Sequence, residues 1–193
     1  AIKEGWRELP VPGSGVLNDL GPHLVDQLLK LFGMPDAVEA DIGIQRAGAK
    51  VDDYFAITLV FGRMRACLRS SSIVAVPRPR FGVHGTLGSF VKMGLDPQEA
   101  QLKAGMLPGD PGFGETSIEG TLVLAHGTAV PVPTERGNYP AFYAAIAAAV
   151  LDGAPVPVRP LDARKGLLLI DLARRAAALG KRLPVPAASS TEG

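Results

Sequence analysis

Asp53-Tyr54-Phe55-Ala56-Ile57-Thr58-Leu59-Val60-Phe61, followed by Gly62-Arg63, is the stretch on which the fold turns. Its aromatic and β-branched side chains read as a strand, and residues 64–76 read as a second. Gly62-Arg63 between them is a two-residue hairpin signal, so the two strands run antiparallel. Working outward, residues 37–48 set Val38, Ala40, Ile42 and Ile44 against polar partners and read as a less regular strand. Residues 80–84 and 88–92 form another pair around Gly85-Thr86-Leu87-Gly88, and 119–126 and 128–132 pair about Gly127. Strands in succession with no helix between them predict an antiparallel meander. The expected class is α+β, a predominantly antiparallel open-faced sheet with helices packed on one face. Thr58, Arg65, Arg69 and Ser71 fall on or near the other face, and an uncovered, partly apolar sheet face needs a cover.

Before the strands, residues 13–33 have a different period. At about 100° per residue, Leu17, Leu20, Leu24, Leu28 and Leu31 form one stripe, widened by Val25, Leu29 and Phe32. Opposite stand Asp19, His23, Asp26 and Lys30, spaced four, three and four apart on one edge of a helix. Pro22 is tolerable only near the helix start, which puts the acids and the imidazole in the first two turns, and Gly33 is the expected stop. Such an edge is either a solvated helix face or a proton-transfer group in which carboxylates orient an imidazole; periodicity does not choose between them.

Further helices follow. Asp96-Pro97-Gln98-Glu99 combines an N-cap, a first-turn proline and a capping-box acid, opening a short helix that ends at Gly105. Residues 107–114 are a Pro/Gly-rich loop, expected near an active-site rim. Asn138 caps a helix through Leu151, closed by Gly153, and its Ala-rich middle over 144–149 allows close helix approach. A proline-punctuated link leads to a last helix over 161–179, closed by Gly180; from Pro184 onward a frayed tail is expected.

Composition narrows the function. The 193 residues fit one domain, and 20 basic against 19 acidic residues lack the basic excess of a nucleic-acid surface. Cys67 stands alone, which excludes an intrachain disulfide framework and fits a reducing compartment; its strand-like surroundings predict a buried structural thiol. With no signal segment and no apolar run approaching a membrane span, a soluble, cytoplasmic protein is expected. His23, His84 and His126 lie far apart with no paired ligand spacing, so no metal is expected, and His84 and His126 read as hydrogen-bonded strand-end residues. Gly13-x-Gly15 is followed by Asn18, and 109–114 has neither an entering strand nor a leaving helix; neither is a dinucleotide cradle. The chain opens Ala1-Ile2-Lys3 with no initiator Met, so a fragment or processed chain is expected.

Several of these stretches together resemble a known family. They are Trp6-Arg7-Glu8, the 13–27 run with its Asp19-x-x-x-His23-x-x-Asp26 core, Asp52-Asp53-Tyr54-Phe55, Pro79-Arg80-Phe81, His84-Gly85-Thr86, Gly88-Ser89-Phe90, Asp96-Pro97-Gln98-Glu99 and Gly109-Asp110-Pro111-Gly112. In aggregate the chain resembles the second domain of the glucose–fructose oxidoreductase/inositol dehydrogenase/rhizopine-catabolism family. The resemblance implies a dihydrodipicolinate-reductase-like C-terminal domain over 1–183, a flexible tail over 184–193, and an N-terminal Rossmann domain outside this chain. It implies hydride transfer between NAD or NADP and a sugar, polyol or related hydroxyl compound. His23 inherits the general acid/base role, Asp19 the supporting one, and Asp26 a substrate contact. Asn18 stands where relatives often carry an aromatic residue and would touch substrate; Trp6 and Arg7 would approach the cofactor. A Lys in a Glu-Lys-Pro motif normally completes the group, and no such tripeptide is present. The open sheet face is implied as a homo-oligomer contact, dimer or higher, and the domain alone is expected to be inactive. The competing reading is a non-catalytic oligomerisation or carbohydrate-binding module.

Overall fold

The structure is a computed structural model describing Ile2 and residues 5–186. In chain order its elements are a 3₁₀ turn Trp6–Glu8, α1 Val16–Phe32, β1 Ala37–Gly43, β2 Tyr54–Phe61, β3 Met64–Ser71, β4 Phe81–Gly85 and β5 Gly88–Lys92. Then come α2 Gln98–Lys103, β6 Gly120–Leu124, β7 Ala129–Val132, α3 Tyr139–Leu151, α4 Pro160–Leu179 and β8 Leu183–Pro184. The expected domain over 1–183 resolves into two compact units, Ala1–Ala75 with Val158–Gly193, and Val76–Pro157. Both are built on antiparallel sheets with helices, the α+β class read from the sequence.

In the first unit the sheet order is β3-β2-β1-β8. Pleating sends Phe55, Ile57 and Leu59 of β2, Val38 of β1 and Leu68 of β3 to one face, where they pack on Leu17 and Val25 of α1 and Leu169, Ile170, Leu172 and Ala173 of α4. Each such side chain, fully buried, contributes about 1.5–3 kcal/mol. The register Thr58↔Cys67 and Ala56↔Arg69 puts the alternate residues on the opposite face, so Cys67 is exposed instead of buried as its apolar neighbours suggested. The inward positions of β3 belong to Ala66 and Leu68.

Two expected strands end early, the first of them against Asp53. Gln45 and Arg46, read as part of the first strand, turn their N–H groups onto the Asp53 carboxylate, and Asp53 N–H returns to the Gly43 carbonyl. The Asp53 carbonyl also accepts Ser72 N–H, just past the end of β3.

The apolar stripe of α1 is rotated from the leucine line. Leu17, Gly21 and Val25 are buried, whereas Leu20 and Leu31 are 41% and 60% exposed. Gly21 decides this: a Cβ there would stand 2.9 Å from Ile170 Cδ1, so the missing side chain lets α1 close on α4. Pro22 is the seventh residue of the helix, not a first-turn position, and leaves the Asn18 carbonyl without its intrahelical donor. Gly33 ends the helix at φ 73°, as expected. The chain also remains in the sheet beyond the expected start of the tail: Leu183 and Pro184 pair with Val38 and Ala37, and Val185 N–H bonds the Asp36 carbonyl. The rest of the tail, 187–193, lies outside the described residues.

The second unit is a β4-β5-β6-β7 sheet with α2 between β5 and β6. Gln98, almost fully buried, donates to both Asp96 carboxylate oxygens and accepts Tyr139 N–H at the start of α3. Gln101 takes Gly114 N–H and gives to the Gly112 carbonyl, while Arg136 Nε donates to the Phe113 carbonyl and Phe113 itself is buried. The expected capping acid Glu99 pairs with Lys103 one turn on. Asn138 caps α3 by accepting Ala141 N–H at 3.1 Å, as its position predicted. The Ala-rich middle of α3, expected to meet another helix, carries no buried residue. His84 is exposed in β4 with its Nδ1 2.9 Å from Ser89 Oγ.

Candidate active site

The first turn of α1 is held by a residue far away in sequence. Val16 N–H bonds the Asp52 carbonyl at 2.8 Å and Leu17 N–H bonds Asp52 Oδ2 at 2.7 Å. Asp52 thus does what a local N-cap side chain would do, with its negative charge at the positive end of the helix. Gly15, at φ 89°, has no room for a side chain, because a Cβ would lie 2.3 Å from Asp52 Oδ1. Ser14 instead donates to the Val11 carbonyl.

The 3₁₀ turn comes back to this helix end. Gly15 N–H bonds the Arg7 carbonyl at 3.1 Å, and Arg7 Nε donates to Asp19 Oδ1 at 2.8 Å. The Arg7 guanidinium also lies 5.0 Å from the centroid of the Trp6 ring, which is 52% exposed. Beside this pair runs a partly buried ionic chain: Arg46 holds Glu8 at 2.8 Å on one side and Asp53, 1% exposed, at 2.8 Å on the other. Burial alone would push the Asp53 carboxyl up, but the Gln45 N–H and the Arg46 guanidinium and N–H hold it below its ordinary value. Hydrogen bonds to Glu8 and Asp53 raise the already strongly basic Arg46 further. The 3₁₀ turn is therefore tied through Glu8 to the 45–53 segment by enclosed charge pairs, which salt screens less than exposed ones, whereas the pair that reaches α1, Arg7 with Asp19, is exposed.

Trp6, Arg7 and Asp19 are brought together. His23 and Asp26 follow on the same edge of α1 as exposed side chains, and among the described residues neither is hydrogen-bonded to Asp19, whose carboxylate faces Arg7. Asp26 borders a small cavity of about 90 Å³ with Lys30 and Lys165. Asn18 lies elsewhere, roughly 140° around the helix axis from His23. Its Nδ2 donates to the Ser14 carbonyl, and it lines an open cleft of about 460 Å³ with Asp52 and Arg174.

An exposed imidazole on a helix is within reach of a substrate hydroxyl and has ring nitrogens that can donate or accept a hydrogen bond. The exposed Trp6 ring and Arg7 guanidinium suit contact with an aromatic or phosphate group. In the second unit the space beside Gly114 is filled by the Gly137 carbonyl, 2.4 Å from where a Cβ would stand. Among the described residues no three His, Cys, Asp or Glu side chains are grouped as a metal site requires. The residues that sequence reasoning missed are Glu8, Arg46, Asp52 and Asp53 as a framework. The adjacent acids before β2 were the available signal, but nothing local reveals that one caps a helix 35 residues away.

Residues 2–186 match the family described as Oxidoreductase family, C-terminal alpha/beta domain. Over 177 residues the chain is 38% identical to scyllo-inositol 2-dehydrogenase (NADP(+)) IolW of Bacillus subtilis, covering 89% of this chain and 49% of IolW. It is 39% identical to the oxidoreductase YdgJ of Escherichia coli, again over 89% of this chain and 50% of that protein. The solved structure of the YPO2259 oxidoreductase from Yersinia pestis superposes with a TM-score of 0.90 at 40% identity, covering 98% of this chain and 54% of that one. The chain spans about half the length of the curated relatives it matches.

Proposed function

The chain belongs to the glucose–fructose oxidoreductase/inositol dehydrogenase/rhizopine-catabolism family of oxidoreductases, as a C-terminal alpha/beta domain. On that premise we propose that it is the substrate half of an NAD(P)-dependent dehydrogenase of a sugar, polyol or related hydroxyl compound, working in the cytoplasm. The observation that carries this reading is the union of Trp6, Arg7 and Asp19 at the start of the helix whose same edge presents His23. A nicotinamide held mainly outside this chain supplies the hydride acceptor. A ring nitrogen of His23 would accept the substrate hydroxyl proton in the oxidative direction and return it in reduction, with the hydride going to or coming from that nicotinamide. Asp19 supports that edge from one turn earlier, fixed by Arg7, and Asp26 contacts substrate one turn later. Trp6 and Arg7 border the cofactor. Asn18, in the cleft with Asp52, is given no contact with the substrate at His23.

The open sheet face is the proposed contact with a second copy. Its registered rows place Glu39, itself paired with Arg182, and Asp41 along β1, with Arg65 and Arg69 along β3. Thr58, Ala56 and Tyr54 run between, with Val60, already buried, at the end of the row. A two-fold axis through that neutral strip sets acids against bases. This face also favours the second reading, an oligomerisation module that needs no imidazole.

The chain joined to the half of YdgJ that it does not cover should oxidise at least one inositol or aldose with NAD or NADP. His23→Ala should lower kcat by about 10²–10⁴-fold without altering the oligomeric state. Turnover unchanged by that substitution would remove His23 from the mechanism and leave the module reading.

A further inference from the structure

We propose that the cleft beside Asn18 is a second ligand site, independent of His23, and that it takes a small hydroxylated anion of the sugar-acid type. The cleft, of about 460 Å³, is walled by residues 10–14, by Val51 and Asp52, and by Arg174 of α4. That is within the size range of small-molecule sites. Pro10 and Pro12 stiffen one wall, so little ordering is required when a ligand enters.

Its charge is decided by a process of pairing. Asp52 contributes a carboxylate to the lining, but that group accepts Leu17 N–H and lies at the start of α1, where the helix dipole offsets it. Arg174 is half-buried, follows Leu172 and Ala173 in the core-facing stretch of α4, and has no hydrogen-bonding or acidic partner among the described residues. The contrast lies on the same helix, where Asp162 is claimed by both Arg159 and Lys165. Among the described residues the cleft therefore holds one guanidinium without an acidic partner, together with a carboxylate whose Oδ2 is committed to the helix start. Its planar fork matches a carboxylate or a phosphate.

The remaining polar groups supply acceptors. Asn18 uses its Nδ2 on the Ser14 carbonyl, which leaves Oδ1 open, and Ser14 Oγ, donating to the Val11 carbonyl, retains its lone pairs. Acceptors beside a cation suit a molecule with hydroxyl donors next to an acid group. A neutral polyol leaves the guanidinium unpaired, and a bare anion leaves the acceptors unused.

The test is a titration of the ¹⁵N-labelled chain with D-gluconate, scyllo-inositol and inorganic phosphate, followed by two-dimensional NMR. Gluconate should shift the Gly13, Ser14 and Asp52 amides and the Arg174 Nε–H saturably, at least about tenfold more tightly than either of the others. Arg174→Gln should weaken gluconate binding by about tenfold or more with the remaining spectrum superimposable, and Arg174→Lys, which keeps the charge without the fork, should fall between. Should Arg174→Gln fail to fold, the Lys variant and the comparison of ligands decide alone. Gluconate binding unchanged in the variants, absent, or centred on His23 overturns the proposal. Equal binding of scyllo-inositol overturns the role of charge, and equal binding of phosphate overturns the role of the hydroxyls.

Discussion

Removing the Asp52 carboxylate tests whether the first helix is anchored from outside itself. Asp52→Ala deletes the oxygen that accepts Leu17 N–H and the negative charge at the helix start, while the backbone bond from Val16 N–H to the Asp52 carbonyl persists. Loss of an N-cap acceptor costs about 0.5–2 kcal/mol, and here the acceptor is charged and partly buried, so about 1–2 kcal/mol is expected. Asp52→Asn keeps an acceptor oxygen and loses the charge, for about 0.3–1 kcal/mol. At about 2–4 °C per kcal/mol for a chain of this length, the Ala variant should melt about 2–8 °C lower and the Asn variant by less than half of that. Because the chain has two compact units, the assay must report on the first. Trp6 is the sole tryptophan and lies in that unit against Arg7, so its fluorescence during heating or urea unfolding is the measurement. A Tm for Asp52→Ala within a degree of the parent, or an Asn variant as weak as the Ala variant, would refute capping as the role of this carboxylate.

Four further outcomes follow from the same geometry. Arg46→Met leaves the buried Asp53 without its cation and should cost about 3–5 kcal/mol in urea unfolding; under about 1 kcal/mol would show that the backbone donors suffice. The Asp53 carboxyl is held below its ordinary value of 3.8, so the folded form binds fewer protons there than the unfolded chain. The stability it contributes is complete above about pH 4 and is lost as the pH falls through its lowered folded value; Tm should therefore drop more on acidification in the parent than in Asp53→Asn. Gly21→Ala should destabilise by about 1 kcal/mol net, crowding against Ile170 Cδ1 and Leu17 Cδ1 outweighing the gain in helix propensity, and the same substitution should cost less in an Ile170→Val background, where one of the two contacts is gone. Sedimentation of Arg65→Glu/Arg69→Glu alone should show monomers, with dimers restored on mixing with Glu39→Lys/Asp41→Lys; unchanged association of either variant alone would remove the sheet face as the contact.

Much of the fold was legible because its signals are local. The Gly62-Arg63 hairpin, the strand pairs about Gly85-Thr86-Leu87-Gly88 and Gly127, the Asn138 cap and the glycine stops at 33 and 180 depend on residues adjacent to them, and each stands where it was read. The strand limit at 43 was not legible, because the Asp53 carboxylate takes the Gln45 and Arg46 N–H groups from across a turn. Burial failed where two rules competed: Cys67 has apolar neighbours, yet pleat parity sends it outward, and Leu20 belongs to a perfect helical stripe that Gly21 rotates away from the core.

For the site the division is similar. Sequence alone determined that Asp19, His23 and Asp26 share one helix edge, since 3.6 residues per turn leaves no other arrangement, and its motifs determined the family. Only the tertiary structure decided that Asp19 is held by Arg7, that Asn18 lies in a separate cleft with Arg174, and that Asp52 caps the helix. Those partners are 12 to 156 positions apart, as in Arg7 with Asp19 and Asn18 with Arg174. Which charges meet over such separations depends on how the sheet brings distant segments side by side, and no periodicity in the chain encodes that.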